Sequence, residues 1–259
     1  MAERIHYYGV EEARDISGLR LVLTRGVPGP WGEAAKAVLR ARRVPFIAVE
    51  QRAGEANEAL TEWTGMRNAP IAIYNDEAPR SGYQDILMLA ERLGEGPSLL
   101  PDDPADRFKV LGIASDICGP YGFGWSVRLL LFQQIYGPPP IDASLPPAQH
   151  QLCALYGFTP DAVTTAARDA AAHLKRLAQC LAQSQSGYLV GDQLTAADLY
   201  WAVFSMIIDP LADEVNPMPG QLRGLYDCEN QTVLDAYAPE LTVHRDRIYK
   251  EHIGLPLDF

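Results

Sequence analysis

The stretch "YLVGDQLTAADLYWAVF", residues 188–204, decides how the second half of the chain folds. Thr195 and Asp198 stand just before an apolar run, which is the spacing of a capping box. We predict that the Thr195 hydroxyl accepts the backbone N–H of Asp198 and that the Asp198 carboxylate accepts the N–H of Thr195. Leu194 before the cap and Leu199 after it can form a hydrophobic staple. The stretch therefore predicts a helix whose start is set by structural residues.

The remainder of the second half also has helical patterns. In "LLPDDPADR" (99–107), Asp103 is placed to cap a helix that has Pro104 at its first position. Residues 161–182 carry apolar residues at helical spacing. The Pro-rich residues 137–160 are expected to be a long connection. The C-terminal "LTVHRDRIYKEHIGLPLDF" is expected to fold back over the helices, with its Arg-Asp-Arg run on a solvated face.

The first half instead alternates strands with helices. The predicted elements are strand 19–24, helix 33–43, strand 44–51, a short helix ending near Gly65, strand 68–75, a short segment at 78–81 and helix 83–94. This order predicts a mixed sheet with helices packed on it. We place an N-terminal extension at 1–18, an α/β domain at 19–96 and an all-helical domain at 102–259.

Composition excludes several classes of function. The chain has 259 residues, 47% hydrophobic and 21% charged, with a formal net charge of −11. Such a charge argues against a general nucleic-acid or anionic-membrane surface, because either needs a basic patch. An apolar run of about 18 residues and a signal-peptide pattern are both lacking, so the expected location is the cytoplasm.

The cysteines and histidines do not suggest a metal site. The four cysteines are widely spaced without a CxxC pattern, and the five histidines are equally scattered. We expect buried, reduced thiols, as is usual in a reducing compartment. A metal hydrolase is therefore disfavoured, and no metal cofactor is predicted.

The segment "NAPIAIY" (68–74) begins a predicted strand with a proline, which has no N–H to give to a sheet. A cis Ala69–Pro70 bond would turn the backbone N–H and C=O of Ala69 toward solvent, ready to pair with an extended peptide. An ordinary trans proline on an edge strand is the alternative, and cis bonds make up only about 5–6% of X–Pro bonds. The dipeptide alone favours the trans form.

Taken together, these features resemble the glutathione transferase family. The phrase "YLVGDQLTAADLYWA" is similar to that family's second-domain signature, and the resemblance covers most of residues 19–210. It implies a thioredoxin-like domain followed by an all-helical domain, and a homodimer. It also implies that glutathione binds in the first domain and an apolar co-substrate between the two domains.

The resemblance implies a set of glutathione-binding residues. Ala69 would offer its backbone to the cysteinyl part of glutathione, Pro70 would be the family's cis proline, and Asn68 could touch the glycine end.

At the head of the next helix, the Glu-Ser pair common in the family falls on Gly82 and Tyr83 in "SGYQDIL", so this chain departs from the pattern. Tyr83 and Ser81 still offer hydroxyls, and Gln84 or Asp85 could meet the γ-glutamyl amine. The helix N-terminus would favour the carboxylate. Tyr83 could alternatively pack as an aromatic residue at a domain seam.

The family's reactive loop is also altered. Where many relatives have Ser-Pro-Phe-Ser or Cys-Pro-Tyr-Cys, this chain has Gly-Pro-Trp-Gly at 29–32. Redox chemistry through a protein cysteine at this loop is therefore disfavoured. The free N–H groups of a helix N-terminus could still stabilise a glutathione thiolate.

Several side chains could assist that thiolate. Thr24 and Arg25 end the first strand, although Arg25 could equally be a surface residue. Trp31 could pack over the bound thiol or plug the domain interface. A hydroxyl from Tyr7 or Tyr8 is a further candidate.

For the co-substrate, "CGPYGFGWSVRLL" (118–130) places Tyr121, Phe123 and Trp125 in a Gly-rich break between helices. The corresponding region of the family borders the apolar pocket. The alternative is that these are core aromatic residues with glycines permitting close packing.

Three hypotheses about function follow. The preferred one is a glutathione transferase acting on a small apolar electrophile, mainly by positioning the thiolate. The second is a non-catalytic glutathione- or ligand-binding module. The third is a glutathione-dependent isomerase or dehalogenase.

Overall fold

The computed structural model describes residues 5–259; residues 1–4, part of the expected N-terminal extension, lie outside the described residues. The chain forms two compact units. The first contains residues 5–98 together with Pro256–Phe259, and the second is Leu99–Leu255.

The first unit is a four-stranded sheet with helices. Its elements are β1 (Tyr7–Tyr8), α1 (Val10–Arg14), β2 (Leu19–Thr24), α2 (Pro30–Ala41), β3 (Ile47–Gln51), α3 (Glu58–Thr64), β4 (Ile71–Tyr74) and α4 (Tyr83–Leu93). The strand order is β1-β3-β2-β4. The pairs β1–β3 and β2–β3 are parallel, whereas β4 runs antiparallel to β2.

Side chains along each strand alternate between the two faces of the sheet, and this alternation explains why helices pack on both faces. Val22 and Val49 point to one face, where they form a core cluster with Ala13 of α1 and Leu60 of α3. Leu23 points to the other face and lies close to Gly32 of α2. Both faces of the sheet are thus buried, which explains why the strands read as continuous apolar runs.

Two parts of the first unit differ from the expectation. The residues after Ile5 do not stay a separate extension, because Tyr7 and Tyr8 pair with Ala48 and Val49, and Ala13 is fully buried. The segment at 78–81 contributes a single bridge, Ala72–Arg80, and no strand. A two-residue strand has too few positions to show a period, so the sequence carried no signal for β1.

The second unit is helical. Its elements are α5 (Pro104–Cys118), α6 (Phe123–Tyr136), α7 (Pro147–Leu155), α8 (Pro160–Gln183), α9 (Ala196–Ser205), α10 (Gly220–Tyr226), α11 (Gln231–Leu234), α12 (Pro239–Ile248) and a π-helical turn at Tyr249–Ile253. All residues of α9 are buried, and α5 and α12 pack against it. Gly124 lets α6 approach α9, since an added Cβ would overlap the Phe204 ring. The predicted fold class, a thioredoxin-like domain followed by an all-helical domain, is confirmed.

Three details of the second half differ from the expectation. The predicted connection at 137–160 contains α7, whose Cys153 is buried in a cluster with residues of α6 and α8. Arg245 does not lie on a solvated face: it is 5% exposed and donates to the Asp209 carbonyl (2.8 Å). The last four residues, Pro256–Phe259, belong to the first unit, whereas α12 of the same C-terminal segment packs against α8 and α9 as expected.

Candidate functional site

The strand register gathers the predicted glutathione-binding segments at one edge of the sheet. Because Val22 pairs with Ile71 in antiparallel register, the residues before β4 lie level with the end of β2. Ala69 and Pro70 are these residues, and the bond between them is cis, as the resemblance implies. Asn68 beside them is exposed and Ala69 is half-buried.

The start of α4 lies at the same edge. Ala72 and Arg80 exchange backbone hydrogen bonds of 2.7 and 2.9 Å, so the chain after Arg80 runs back beside the start of β4. Ser81, Tyr83 and Gln84 follow directly. Ser81 and Gln84 are exposed, and Tyr83 is half-buried at the first position of α4.

The start of α2 completes this edge, since α2 follows β2 after a short turn. Gly29 is its N-cap residue and Pro30 its first helical residue, so the sequence prediction of a helix beginning at residue 33 was three residues late. No side chain caps this helix. Two helix N-termini, with partial positive charge, therefore face the same edge of the sheet and suit an anionic ligand.

The proposed assistants at the end of β2 already have partners. The Thr24 hydroxyl donates to Gln51 Oε1 (2.7 Å), so its proton is engaged within the sheet. Arg25 is 61% exposed and pairs with Glu50 (3.0 Å). Trp31 lies in the first turn of α2 and is half-buried. Of Thr24, Arg25 and Trp31, Trp31 is the residue that belongs to the first turn of α2.

A buried ionic cluster on α2 was not predicted. Glu33 and Lys36 form a 2.8 Å ion pair with side chains only 5% and 2% exposed. Lys36 also donates to the Asp258 carbonyl, and Arg40 pairs with the Asp258 carboxylate (3.0 Å). Burial raises the pKa of Glu33, although the Lys36 ammonium opposes that rise. The sequence shows the Glu-x-x-Lys spacing of Glu33 and Lys36, but no sequence pattern indicates that Asp258 joins them.

Tyr7 lies near this cluster, with the Arg25 guanidinium 6.0 Å from the centre of its ring. Burial, followed by the charges of Glu33 and Asp258, raises the pKa of the Tyr7 hydroxyl. Tyr7 therefore keeps its proton and can act as a hydrogen-bond donor rather than as a base. Tyr8 packs against the apolar core of the first unit.

The three aromatic residues expected at the co-substrate pocket have different surroundings. Phe123 is fully buried against Trp201, with ring centroids 5.6 Å apart. Trp125 packs on Tyr156 and donates its Nε1–H to the Tyr156 carbonyl (2.8 Å). Tyr121 is 84% exposed. For Phe123 and Trp125 the structure matches the alternative, a core packing role.

Asp198 is the centre of a buried network. Its carboxylate accepts the backbone N–H of Thr195 (2.8 Å), as the capping box predicts, and also that of Leu189 (2.7 Å). The Thr195 hydroxyl donates to it (2.7 Å). His244 of α12 adds a contact of 2.9 Å from its Nε2, which the sequence did not reveal. These residues have a structural role.

Other features of the described part of the chain are as follows. The four cysteines form no disulfide, and burial raises the pKa of the Cys118 thiol. Residues 5–259 contain no group of three or more His, Cys, Asp and Glu side chains that could hold a metal ion. Among the same residues no helix combines the length and apolar character needed to span a bilayer.

Comparison with known proteins shows which domain and which fold this chain is similar to. Residues 160–251 match the family model for the glutathione S-transferase C-terminal domain. None of the curated protein sequences compared with the chain matches it.

Solved structures share the whole fold. A glutathione S-transferase from Xanthobacter autotrophicus is 17% identical, with a TM-score of 0.57 over 93% of this chain and 97% of that one. A glutathione transferase family member from Pseudomonas fluorescens with two glutathione bound has a TM-score of 0.63, 14% identity and coverages of 93% and 94%. A glutathione S-transferase from Methylobacillus flagellatus with glutathione bound has a TM-score of 0.62 and 12% identity, over 90% of this chain and 95% of that one.

These likenesses show a two-domain fold with a thioredoxin-like and an all-helical part. The match of residues 160–251 shows a similarity of the second unit to the glutathione S-transferase C-terminal domain.

Proposed function

We propose that the protein binds glutathione in its first unit and transfers it to a small apolar electrophile. The observation that carries this proposal is the convergence of two helix N-termini, those of α2 and α4, on the sheet edge that holds Ala69 and Pro70. The similarity of residues 160–251 to the glutathione S-transferase C-terminal domain and the fold shared with glutathione-bound structures support the same ligand.

In this proposal the backbone does most of the chemistry. The N–H groups at the start of α2 stabilise the glutathione thiolate, and Trp31 covers it. Ala69 pairs with the cysteinyl backbone, Asn68 meets the glycine end, and the α4 start with Ser81, Tyr83 and Gln84 holds the γ-glutamyl end. The thiolate sulfur then forms a bond to the electrophilic carbon while the leaving group departs, and the thiol proton goes to solvent. Thr24 and Arg25 contribute indirectly, because they lie at the end of β2, the strand that positions α2.

Gly29→Ser tests where the sulfur lies. A Cβ added at Gly29 would meet open space, and the φ of this residue is −69°, so serine fits. A hydroxyl there would stabilise the thiolate and, by lowering the thiol pKa about one unit, raise conjugation of chlorodinitrobenzene about tenfold. Gly9→Ser is the matched control, since Gly9 is also an uncapped N-cap residue with open space. Equal rates in the two variants and the wild type would place the sulfur elsewhere.

Tyr83→Phe tests the γ-glutamyl end. Loss of one hydrogen bond worth about 1 kcal/mol should weaken glutathione binding about fivefold, measured by calorimetry. Tyr74→Phe, at the opposite end of β4, should leave the affinity unchanged. An unaltered affinity in Tyr83→Phe would remove Tyr83 from the site.

A second candidate function is glutathione or ligand binding without turnover. The lack of any hydroxyl or thiol side chain at residues 29–32 favours it. Retention on immobilised glutathione without conjugation of several electrophiles would select this function. Failure to bind glutathione would contradict both functions.

The finer parts of the proposal follow from the family resemblance. We place the protein in the cytoplasm as a homodimer with a detoxifying role, and sedimentation velocity of the full chain would test the dimer. Glutathione-dependent isomerisation or dehalogenation is the remaining chemical alternative, tested by product analysis with small halogenated acids and aromatic compounds.

A further inference from the structure

A cavity of about 300 Å³ lies within the second unit, and the proposed function does not use it. Its wall is formed by α6, by the turn after α9 and by the chain from the end of α10 to the start of α11. The apolar part includes Val127 and Ile207, which are 2% and 1% exposed. Leu225 of α10 also lines the cavity.

The cavity is partly open to solvent, since its lining includes the exposed residues Gln133, Gln134 and Glu229. Its volume of about 300 Å³ reaches the lower end of the range for small-molecule sites. Dispersion contacts with the apolar wall and the hydrophobic effect would stabilise an apolar molecule that fills the cavity.

The polar residues that line the cavity indicate which charge a ligand can carry. Glu229 is exposed, and its carboxylate forms no ion pair with any residue in the described range 5–259. Asn230 accepts the Val233 N–H with its Oδ1 (3.3 Å), which leaves its amide N–H₂ group to offer to a ligand. Burial, together with the nearby carboxylates Asp227 and Glu229, raises the pKa of the Cys228 thiol. The wall therefore carries negative charge and a neutral thiol.

We propose that this cavity binds a small, largely apolar molecule that is uncharged or carries one positive charge. The apolar body lies between α6 and Leu225, and the polar end contacts Glu229 and Asn230. Anions are disfavoured, because the Glu229 carboxylate at the exposed side of the cavity repels them. This inference is independent of glutathione transfer, since all the lining residues belong to the second unit.

Fluorescent dyes on the full-length protein test the site. We expect thioflavin T, a cation, and its uncharged desmethyl analogue to bind, and the anion anilinonaphthalene sulfonate to bind more weakly. Leu225→Trp fills the cavity and should raise both dissociation constants about tenfold, or about 1.4 kcal/mol. Leu222→Trp, on the same helix but outside the cavity, is the matched control.

Two further variants keep the test decisive. If Leu225→Trp does not fold, Gln134→Trp at the exposed part of the cavity should weaken both dyes, with Gln179→Trp of α8 as its control. Glu229→Gln should weaken the cation about threefold and leave the uncharged dye unchanged. Its control, Glu240→Gln, makes the same change in net charge elsewhere.

Three results would overturn the inference. These are an absence of dye binding, equal binding in the filled variants and their controls, and binding of the anion as tight as that of the cation.

Discussion

Lys36 and Glu33 are charged residues in an almost fully buried position, so their stability depends on each other. Replacing Lys36 by methionine leaves the Glu33 carboxylate without its 2.8 Å partner in a low-dielectric site. We expect a loss of about 3–5 kcal/mol in the free energy of unfolding at neutral pH, measured with urea. Adding Glu33→Gln should restore much of it. Lys109→Met, which breaks an exposed pair, should change stability by less than about 1 kcal/mol.

The free energy of unfolding of Lys36→Met should depend on pH in a direction that follows from the pKa of Glu33. Burial raises the pKa of Glu33 above its unfolded value, and Lys36→Met removes the ammonium that opposes this rise. A raised folded-state pKa means that the folded variant binds the proton more tightly than the unfolded chain. The stability deficit should therefore shrink as the pH falls from neutral toward about 4.3, the ordinary pKa of glutamate. A constant deficit across this range would contradict the role given to Glu33.

At the scale of an element, the start of α9 depends on Asp198. Asp198→Ala leaves two buried backbone N–H groups, those of Leu189 and Thr195, without acceptors. We expect a destabilisation of about 3 kcal/mol or more, by chemical denaturation, because each unsatisfied donor costs about 1–3 kcal/mol.

Thr195→Val should cost less, about 1 kcal/mol, since it removes one hydroxyl and keeps the carboxylate contacts of the backbone. The control is Thr164→Val on α8, whose exposed hydroxyl bonds only within its own helix. Similar losses in Thr195→Val and Thr164→Val would mean that the cap does not set the stability of α9.

At the scale of the whole molecule, the last four residues stabilise the first unit. Asp258 accepts from Lys36 and pairs with Arg40, and Leu257 is 8% exposed. Burial favours the neutral form of Asp258, but Arg40 and Lys36 outweigh it and lower the pKa of the carboxyl. The tail is therefore held as a charged group.

A chain ending at Leu255 should lose this support. We expect amide hydrogens of α2 to exchange several-fold faster with deuterium, while those of α9 keep the wild-type rate. Pro256→Ala, an exposed change that keeps Asp258, is the control. Unchanged exchange in α2 would show that the tail contributes nothing to the first unit.

Local signals predicted much of the fold. Asp103 caps α5 with two hydrogen bonds, and α8 spans Pro160–Gln183 against a predicted 161–182. The segments of the candidate site were named from the resemblance, and the strand register places them at one edge. The aromatic residues Tyr121, Phe123 and Trp125 differ in exposure, because residues close together along the chain at a helix start point in different directions.

The sequence alone determined the starts of α5 and α9, the alternation of strands and helices in the first unit and the change to helices near residue 99, because caps and periodicity act between residues a few positions apart. Only the tertiary structure decided that Tyr7 and Tyr8 join the sheet, that Asp258 pairs with α2 and that a cavity opens beside Leu225. These contacts join residues far apart in the chain, and their energies depend on burial and on charges that no local pattern records.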